Sequence, residues 1–147
     1  MTLSIQYVNK IHKHFLPKNI LSFWLKSTLL ILDKQKIDCD INIRFVDSYE
    51  GQELNNAYRG KDYATNVLTF AYKHTQDYVH SDIVLCTDVV EKEASEQNKA
   101  LFAHYAHLII HGILHSFSYE HETEEDNNIM QALEIKILNY IGLLNPY

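Results

Sequence analysis

The stretch HGILHSFSYEH, residues 111–121, constrains this chain more than any other part of its sequence. His111 and His115 are four residues apart, and residues at this spacing lie on one face of a helix, about one turn from each other. The helix that would carry them, from about residue 101 to residue 117, is apolar on most of its sides. Helices of this kind are buried, so we expect both imidazoles to project from the protein core.

A third histidine, His121, follows six residues after His115. This spacing resembles the zinc site of the metzincin peptidases, in which two ligands lie on a helix and the third follows a turn. Three neutral imidazoles would leave the fourth position of zinc open to water, as in catalytic rather than structural sites. We therefore predict that His111, His115 and His121 bind one Zn²⁺, although imidazoles also suit nickel and other divalent ions.

Two residues depart from the peptidase pattern. Gly112 stands where those enzymes carry the glutamate that deprotonates the attacking water, so peptide hydrolysis by that route lacks its general base. Ser118 stands where they use glycine for the turn, and a positive φ at this position would cost serine about 1 to 2 kcal/mol. The pattern therefore favours a metal site and disfavours a peptidase.

The chain contains nine histidines, so one pair four residues apart is weak evidence by itself. His107 forms a second such pair with His111 and competes for the same ion. His107 and His115 are eight residues apart, about 12 Å along a helix, which is too far to share one ion. Histidines that are hydrogen-bonded in the core or exposed to solvent remain the alternative to metal ligands.

The histidine stretch resembles the H-G-x-L-H-x-x-G-Y-D-H signature of the YbeY family, bacterial metal-dependent endoribonucleases that act in ribosomal RNA maturation. The run YRGKDYATNVLTF, residues 58–70, and the run SDIVLCTDVVEKEA, residues 81–94, are similar to two further segments of that family. The resemblance covers essentially the whole chain. Ser118 and Glu120 stand where the family has glycine and aspartate.

The resemblance implies a single-strand-specific, zinc-dependent endoribonuclease of ribosomal RNA maturation and ribosome quality control. It makes Arg59 and His115 the expected catalytic residues, and Arg59 and Lys61 the expected substrate-binding residues. A guanidinium can hold two phosphate oxygens at once, whereas without the resemblance Arg59 would be taken for a surface ion-pair partner. We expect Glu120, beside His121, to orient a ligand histidine through a hydrogen bond.

The sequence leaves the general base and the class of function open. Asp62, Asp82 and Glu120 are candidate bases, but each could instead cap a helix or hydrogen-bond a ligand. Either water or the ribose 2′-hydroxyl could attack the phosphorus. Two alternatives remain: another metal-dependent phosphoester hydrolase, and an assembly factor that binds ribosomal RNA or a small-subunit protein around a structural metal.

Charge and composition add weaker expectations. The net charge of −6 has the wrong sign for a protein that simply coats nucleic acid, although the first 61 residues carry nine basic against six acidic side chains. No apolar run is long enough to span a membrane, and the N-terminus does not resemble a signal peptide. Cys39 and Cys86 lie singly in apolar runs, as expected of free, buried thiols. We therefore expect a cytoplasmic protein.

Strand and helix signals predict one α+β domain over residues 1–147, and the resemblance implies a small, mixed sheet of about four strands packed on helices, with the zincin-like histidine helix at its centre. Residues 72–81 are polar and are predicted to form a loop. Three residue pairs are predicted to cap helices: Asp47 with Glu50, Asp88 with Glu91, and Thr123 with Asp126. The apolar face of the last helix is predicted to pack on the core, and its residues are Ile129, Met130, Leu133, Ile137 and Ile141.

Overall fold

The computed structural model describes all 147 residues and has an α+β fold with one four-stranded sheet. Its strands are β1 (Thr2–Tyr7), β2 (Asp38–Val46), β3 (Val67–His74) and β4 (Tyr78–Cys86). Its helices are α1 (Lys10–Phe15), α2 (Lys18–Ile31), α3 (Ser48–Arg59), α4 (Thr87–Glu96), α5 (Leu101–Ser116) and α6 (Glu124–Tyr140). The strand order is β1-β2-β4-β3, with β3 antiparallel at one edge and the other strands parallel, which confirms the expected mixed sheet.

Helix α5 lies at the centre of the fold, against β3 and β4 on one side and against α2, α4 and α6 on the others. We call the sheet face that α5 covers the inner face. Ser81 and Ile83 of β4 point to it, because the Ser81 hydroxyl lies 2.7 Å from that of Ser116, and Ile83 packs on Gly112. As expected from its apolar sequence, most of α5 is buried, which fixes the direction of any side chain that projects from it.

Gly112 allows this close approach of helix to sheet. A Cβ atom built on Gly112 would lie 2.8 Å from Cγ2 of Ile83 and 3.2 Å from Oγ1 of Thr69. We expect Gly112→Ala to lower the free energy of unfolding by about 1 to 2 kcal/mol, because overpacking costs more than the roughly 1 kcal/mol that alanine gains in helix propensity. Urea denaturation of both proteins measures this difference. An unchanged or raised midpoint would mean that α5 can move away from the sheet at no cost.

The predicted loop over residues 72–81 is wrong. β3 continues to His74 and β4 begins at Tyr78, so only residues 75–77 connect the two strands. Polar residues suit these strands because β3 is at the sheet edge and alternate residues of β4 face away from the core. Local composition could not show this pairing, which depends on contacts across the hairpin.

Two of the three predicted helix caps are confirmed. The Asp47 carboxylate accepts a hydrogen bond from the Glu50 amide at 2.9 Å, and the Thr123 hydroxyl accepts one from the Asp126 amide at 3.0 Å. The prediction for Asp88 is wrong: α4 begins at Thr87, so Asp88 lies within its first turn, and the Asp88 carboxylate instead accepts a hydrogen bond from the Ser48 amide at 3.1 Å. Asp88 thus joins the starts of α3 and α4.

The inward stripe predicted for α6 is only partly right. Met130 and Ile137 are buried, but Ile129 is 47% exposed. Glu134 of the same helix is also buried in the core, with only 1% of its surface exposed. Both cysteines are free and buried, as expected. No helix of the protein is long and apolar enough to cross a membrane.

Candidate metal centre

The three histidines singled out in the sequence lie together at the end of α5. One ring nitrogen from each of His111, His115 and His121 lies within 4.8 Å of those of the other two. The ring centroids are 4.5 Å apart for His111 and His115, 5.0 Å for His115 and His121, and 5.4 Å for His111 and His121. His111 and His115 are partly buried and His121 is exposed, so the cluster opens to solvent on one side.

The turn after α5 brings His121 back towards the helix. Ser118 has a φ of 68°, which confirms the left-handed conformation expected where related sites carry glycine. Its hydroxyl lies 2.7 Å from Nδ1 of His74 at the end of β3, and the His74 ring packs edge-on against Phe117. This bond ties the turn to the sheet edge, a role for His74 that its sequence context does not indicate.

The hydrogen bonds of His111 and His115 decide which nitrogens are free to bind a metal. Nδ1 of His115 donates to the carbonyl oxygen of Tyr119 at 2.8 Å, and Nδ1 of His111 donates to the carboxylate of Glu134 at 2.7 Å. The proton of each neutral ring is therefore on Nδ1, and the lone pair is on Nε2. The two Nε2 atoms face each other at 3.0 Å.

Two facing lone pairs repel each other unless a cation lies between them. Burial, followed by the proximity of His111, lowers the pKa of His115 to about 4, so its ring is neutral at pH 7 as metal binding requires. The donor set of three imidazole nitrogens suits zinc and other borderline divalent ions. The residues present therefore fit a metal ion of this class.

Glu134 is the buried partner that orients His111. Its carboxylate also lies 3.4 Å from Nε2 of His107 and accepts a short hydrogen bond from the hydroxyl of Tyr147. Burial acts to raise the pKa of Glu134, but the hydrogen bonds from His107, His111 and Tyr147 lower it to about 2. His107 thus contacts this carboxylate and is not part of the three-histidine cluster.

The sequence position of Glu134 contains a signal of its buried role. Glu134 lies four residues after Met130 and three before Ile137, on the stripe of α6 that faces the core. A carboxylate on such a stripe requires a buried partner, because an unpaired charge in the core is very costly. A histidine ligand on the neighbouring helix is a partner of that kind.

We expect Glu134→Gln to weaken zinc binding by about 10- to 100-fold, because the amide removes the negative charge that makes His111 a stronger ligand. Competition with a chromophoric zinc chelator measures the affinity. Glu120→Gln is the matched comparison and should lose less affinity, at most about a few-fold, since the Glu120 carboxylate is half-exposed and lies 3.6 Å from Nδ1 of His115, whose hydrogen bond goes to Tyr119. Equal affinities of Glu134→Gln and wild type would contradict the role of Glu134.

Arg59 lies in the same open cleft as the histidines. It is the last residue of α3, and Gly60 follows with a φ of 67°, as expected for the turn there. Arg59 forms no ion pair in the structure. The cleft is lined by Arg59, Thr65, Asn66, Val67, Leu68, Thr69, Ala71, His111, His115, Glu120, His121 and Glu122. Lys61, the other expected substrate-binding residue, does not line it.

Of the three candidate bases, only Glu120 reaches the cleft. Asp62 accepts a hydrogen bond at 2.8 Å from the Gln52 amide outside it. Asp82 lies between the inward-facing residues of β4 and so points to the opposite face of the sheet, where it accepts bonds from Asn42 and Tyr72. The geometry therefore does not support Asp62 or Asp82 as the base.

A family model described as Endoribonuclease YbeY matches residues 6–142. The Endoribonuclease YbeY of Paraburkholderia phymatum is 50% identical over 137 residues, which cover 92% of this chain and 86% of the relative. That of Janthinobacterium sp. (strain Marseille) is 47% identical over 149 residues, which cover 100% of this chain and 94% of the relative.

A solved structure has the same fold. The solution structure of TM1509 from Thermotoga maritima matches with a TM-score of 0.62 and 26% sequence identity, over 95% of this chain and 91% of that one. The sequence matches extend over nearly the full length of this chain and of its relatives. The matched region therefore includes the histidine cluster, Arg59 and the sheet that holds them. The chain belongs to the YbeY family of endoribonucleases.

Proposed function

We propose that this chain is a zinc-dependent, single-strand-specific endoribonuclease that acts on ribosomal RNA, in its maturation and in ribosome quality control. The observation that carries the proposal is the pair of facing Nε2 atoms of His111 and His115, 3.0 Å apart, in a cleft that also contains Arg59. Ribosomal RNA as the substrate would place the protein in the cytoplasm. Residues 1–147 would act as one domain, since α5 packs against both the sheet and the surrounding helices.

In this proposal His111, His115 and His121 hold the zinc ion. When bound, zinc supplies a Lewis acid that polarises a phosphoryl oxygen of the substrate. Glu134 and the carbonyl of Tyr119 keep the His111 and His115 rings in the orientation in which Nε2 faces the ion. Both rings are thereby fixed before the substrate arrives, so no binding energy is needed to order them.

Arg59 would bind the phosphate at the bond to be broken. Its guanidinium forms no ion pair, so its charge is available to a substrate. Two parallel N–H donors can hold two phosphate oxygens and stabilise the charge that develops on them in the transition state. Glu120, whose carboxylate is 3.6 Å from Nδ1 of His115, would favour the orientation of that ring from the solvent side.

The recessed position of the ligands supports a preference for single strands. The side chains of His111 and His115 are only 22% and 18% exposed, at the base of the cleft. A flexible single strand can bend one phosphate towards them, whereas a phosphate of a stiff duplex is held beside its neighbours. The acidic residues that predominate after residue 61 would further disfavour binding of a duplex, whose phosphate charge is dense.

The test is cleavage of a single-stranded ribosomal RNA segment by the purified, zinc-loaded protein, compared with the same segment annealed to its complement. We expect the free strand to be cut at least about tenfold faster, chelator to stop cleavage, and added zinc to restore it. Equal cutting of both substrates would refute the strand preference. Binding of ribosomal RNA without cleavage of either substrate would favour the assembly-factor alternative.

A further inference from the structure

A row of aromatic rings lies on the outer face of the sheet, the face opposite α5. We call it the aromatic ridge, and its members are Tyr58, Phe70, Tyr72, Tyr78 and His80. Tyr58 packs on Phe70 with ring centroids 4.9 Å apart, Tyr72 lies 4.9 Å from His80, and His80 lies 6.5 Å from Tyr78. The row follows the β3–β4 hairpin from the end of α3 to the hairpin tip.

Hydrogen bonding and packing place the ridge on the outer face. Tyr72 donates a hydrogen bond at 2.8 Å to Asp82, which points away from α5. Phe70 packs on a small apolar cluster around Leu68 and Val84, separate from the main core. Helix α3 covers that cluster, with Leu54 packed against it, so the covered part of this face is the part nearest Phe70.

The ridge is exposed to an extent that packing does not explain. Tyr58 is 69% exposed and Tyr72 is 58% exposed. A sheet surface with exposed aromatic rings is the platform on which several RNA-binding modules stack unpaired bases. Stacking of this kind tolerates any base sequence, because every base has a π face.

Charges of both signs lie along the ridge. Lys73 holds its ammonium group 5.8 Å from the centroid of Tyr78, and Arg59 follows Tyr58 directly in the chain. Neither forms an ion pair. The Asp82 carboxylate is occupied by the Asn42 amide and the Tyr72 hydroxyl, and Asp38 and Asp40 of β2 pair with Tyr78 and His80 on the same face. Base stacking, assisted by two cations, would therefore supply most of the affinity.

The ridge is continuous with the candidate metal centre. β3 is an edge strand whose inner side, at Thr69 and Ala71, lines the cleft, and whose outer side carries Phe70 and Tyr72. Arg59 lines the cleft while its neighbour Tyr58 begins the ridge. A strand held at Arg59 can therefore cross the edge of the sheet and continue along the outer face.

We propose that the aromatic ridge binds the single-stranded RNA that leaves the cleft at Arg59, by stacking its bases on Tyr58, Tyr72 and the rings beyond them. This inference rests on the proposed ribonuclease function, and it specifies where the substrate lies outside the reacting bond. The ridge would bind long single strands more tightly than short ones. The ridge would contribute nothing to the binding affinity of a substrate that ends within the cleft.

The test is fluorescence anisotropy of zinc-loaded protein with labelled 2′-O-methyl oligouridine of about four and about twelve nucleotides, with oligonucleotide integrity checked on a gel. The variants are Tyr58→Leu, Tyr72→Leu and the double variant. Tyr72→Phe keeps the ring, and Tyr49→Leu is the matched control, since Tyr49 is 71% exposed on α3 but outside the ridge. All replaced residues are exposed, and thermal denaturation checks that each variant is folded.

We expect each ring removal to weaken binding of the long strand about five- to tenfold and to leave the short strand unchanged. Tyr72→Phe and Tyr49→Leu should bind as wild type does. Equal binding of the long strand by wild type and the double variant would overturn the proposal, and so would equal losses for both lengths. Cleavage by wild type is scored separately: if wild type cuts but the ridge variants bind normally, the ridge proposal alone fails.

If neither wild type nor the variants cut or bind RNA, the proposed function itself fails. A protein partner is the competing occupant of the ridge, and it predicts that the double variant binds and cuts RNA as wild type does, which also refutes the ridge proposal. A kinetic readout completes the test. The double variant should raise KM for long substrates about 25- to 100-fold, the product of the two single losses, with kcat unchanged, because the ridge does not touch the reacting bond.

Discussion

Zinc-loaded protein carrying His115→Ala is expected to cleave single-stranded ribosomal RNA at least about 10³-fold more slowly than wild type, because a Lewis acid contributes several kcal/mol to the transition state. His115 is close to both other members of the cluster, with its ring centroid 4.5 Å from that of His111 and 5.0 Å from that of His121. Without it two imidazoles remain, and the second of them, His121, is exposed. Zinc bound by such a pair is held weakly and without defined geometry.

The experiment compares cleavage rates of wild type and His115→Ala, prepared identically and supplied with equal zinc, together with the zinc content of each after dialysis. His14→Ala is the matched control, because His14 is an exposed histidine of α1 outside the cluster. It should cut RNA and retain zinc as wild type does. Equal rates for wild type and His115→Ala would place the nuclease elsewhere, either in another part of the protein or in a contaminant.

The ligand cluster could be predicted from the sequence because its determinants are local. His111 and His115 are one helical turn apart on α5, and the apolar residues around them show that this helix is buried. His121 follows at a distance that one turn can close, and the positive φ of Ser118 provides that turn. Each of these features depends on a stretch of at most about 18 consecutive residues, the scale on which periodicity is informative.

The groups that orient the ligands could not be predicted in the same way. Glu134 lies 23 residues after His111, so its role depends on how α6 packs against α5. The acceptor for His115 is a backbone carbonyl, which every residue carries, so no residue type marks it. The strand pairing that converts residues 72–81 from a predicted loop to a hairpin is likewise a contact between segments, and it creates the surface on which the aromatic ridge lies.

Replacement of Arg59 distinguishes the proposed nuclease function from the assembly-factor alternative. We expect Arg59→Ala to lower kcat about 10²- to 10³-fold at saturating RNA, because the guanidinium stabilises charge that develops only in the transition state. Zinc content should not change, since Arg59 lines the cleft but forms no hydrogen bond to the ligand histidines. Arg59→Lys should recover only part of the rate, because an ammonium group cannot hold two phosphate oxygens in parallel.

Lys61→Ala is the matched control for Arg59, since it removes a neighbouring cation that does not line the cleft. An exposed lysine of this kind contributes to attraction of the polyanion, so KM should rise a few-fold at low salt with kcat unchanged. Single-turnover cleavage at several RNA concentrations separates the two effects. If Arg59→Ala raises KM alone, as Lys61→Ala is expected to, then Arg59 docks RNA without acting on the phosphate and the assembly-factor function gains support.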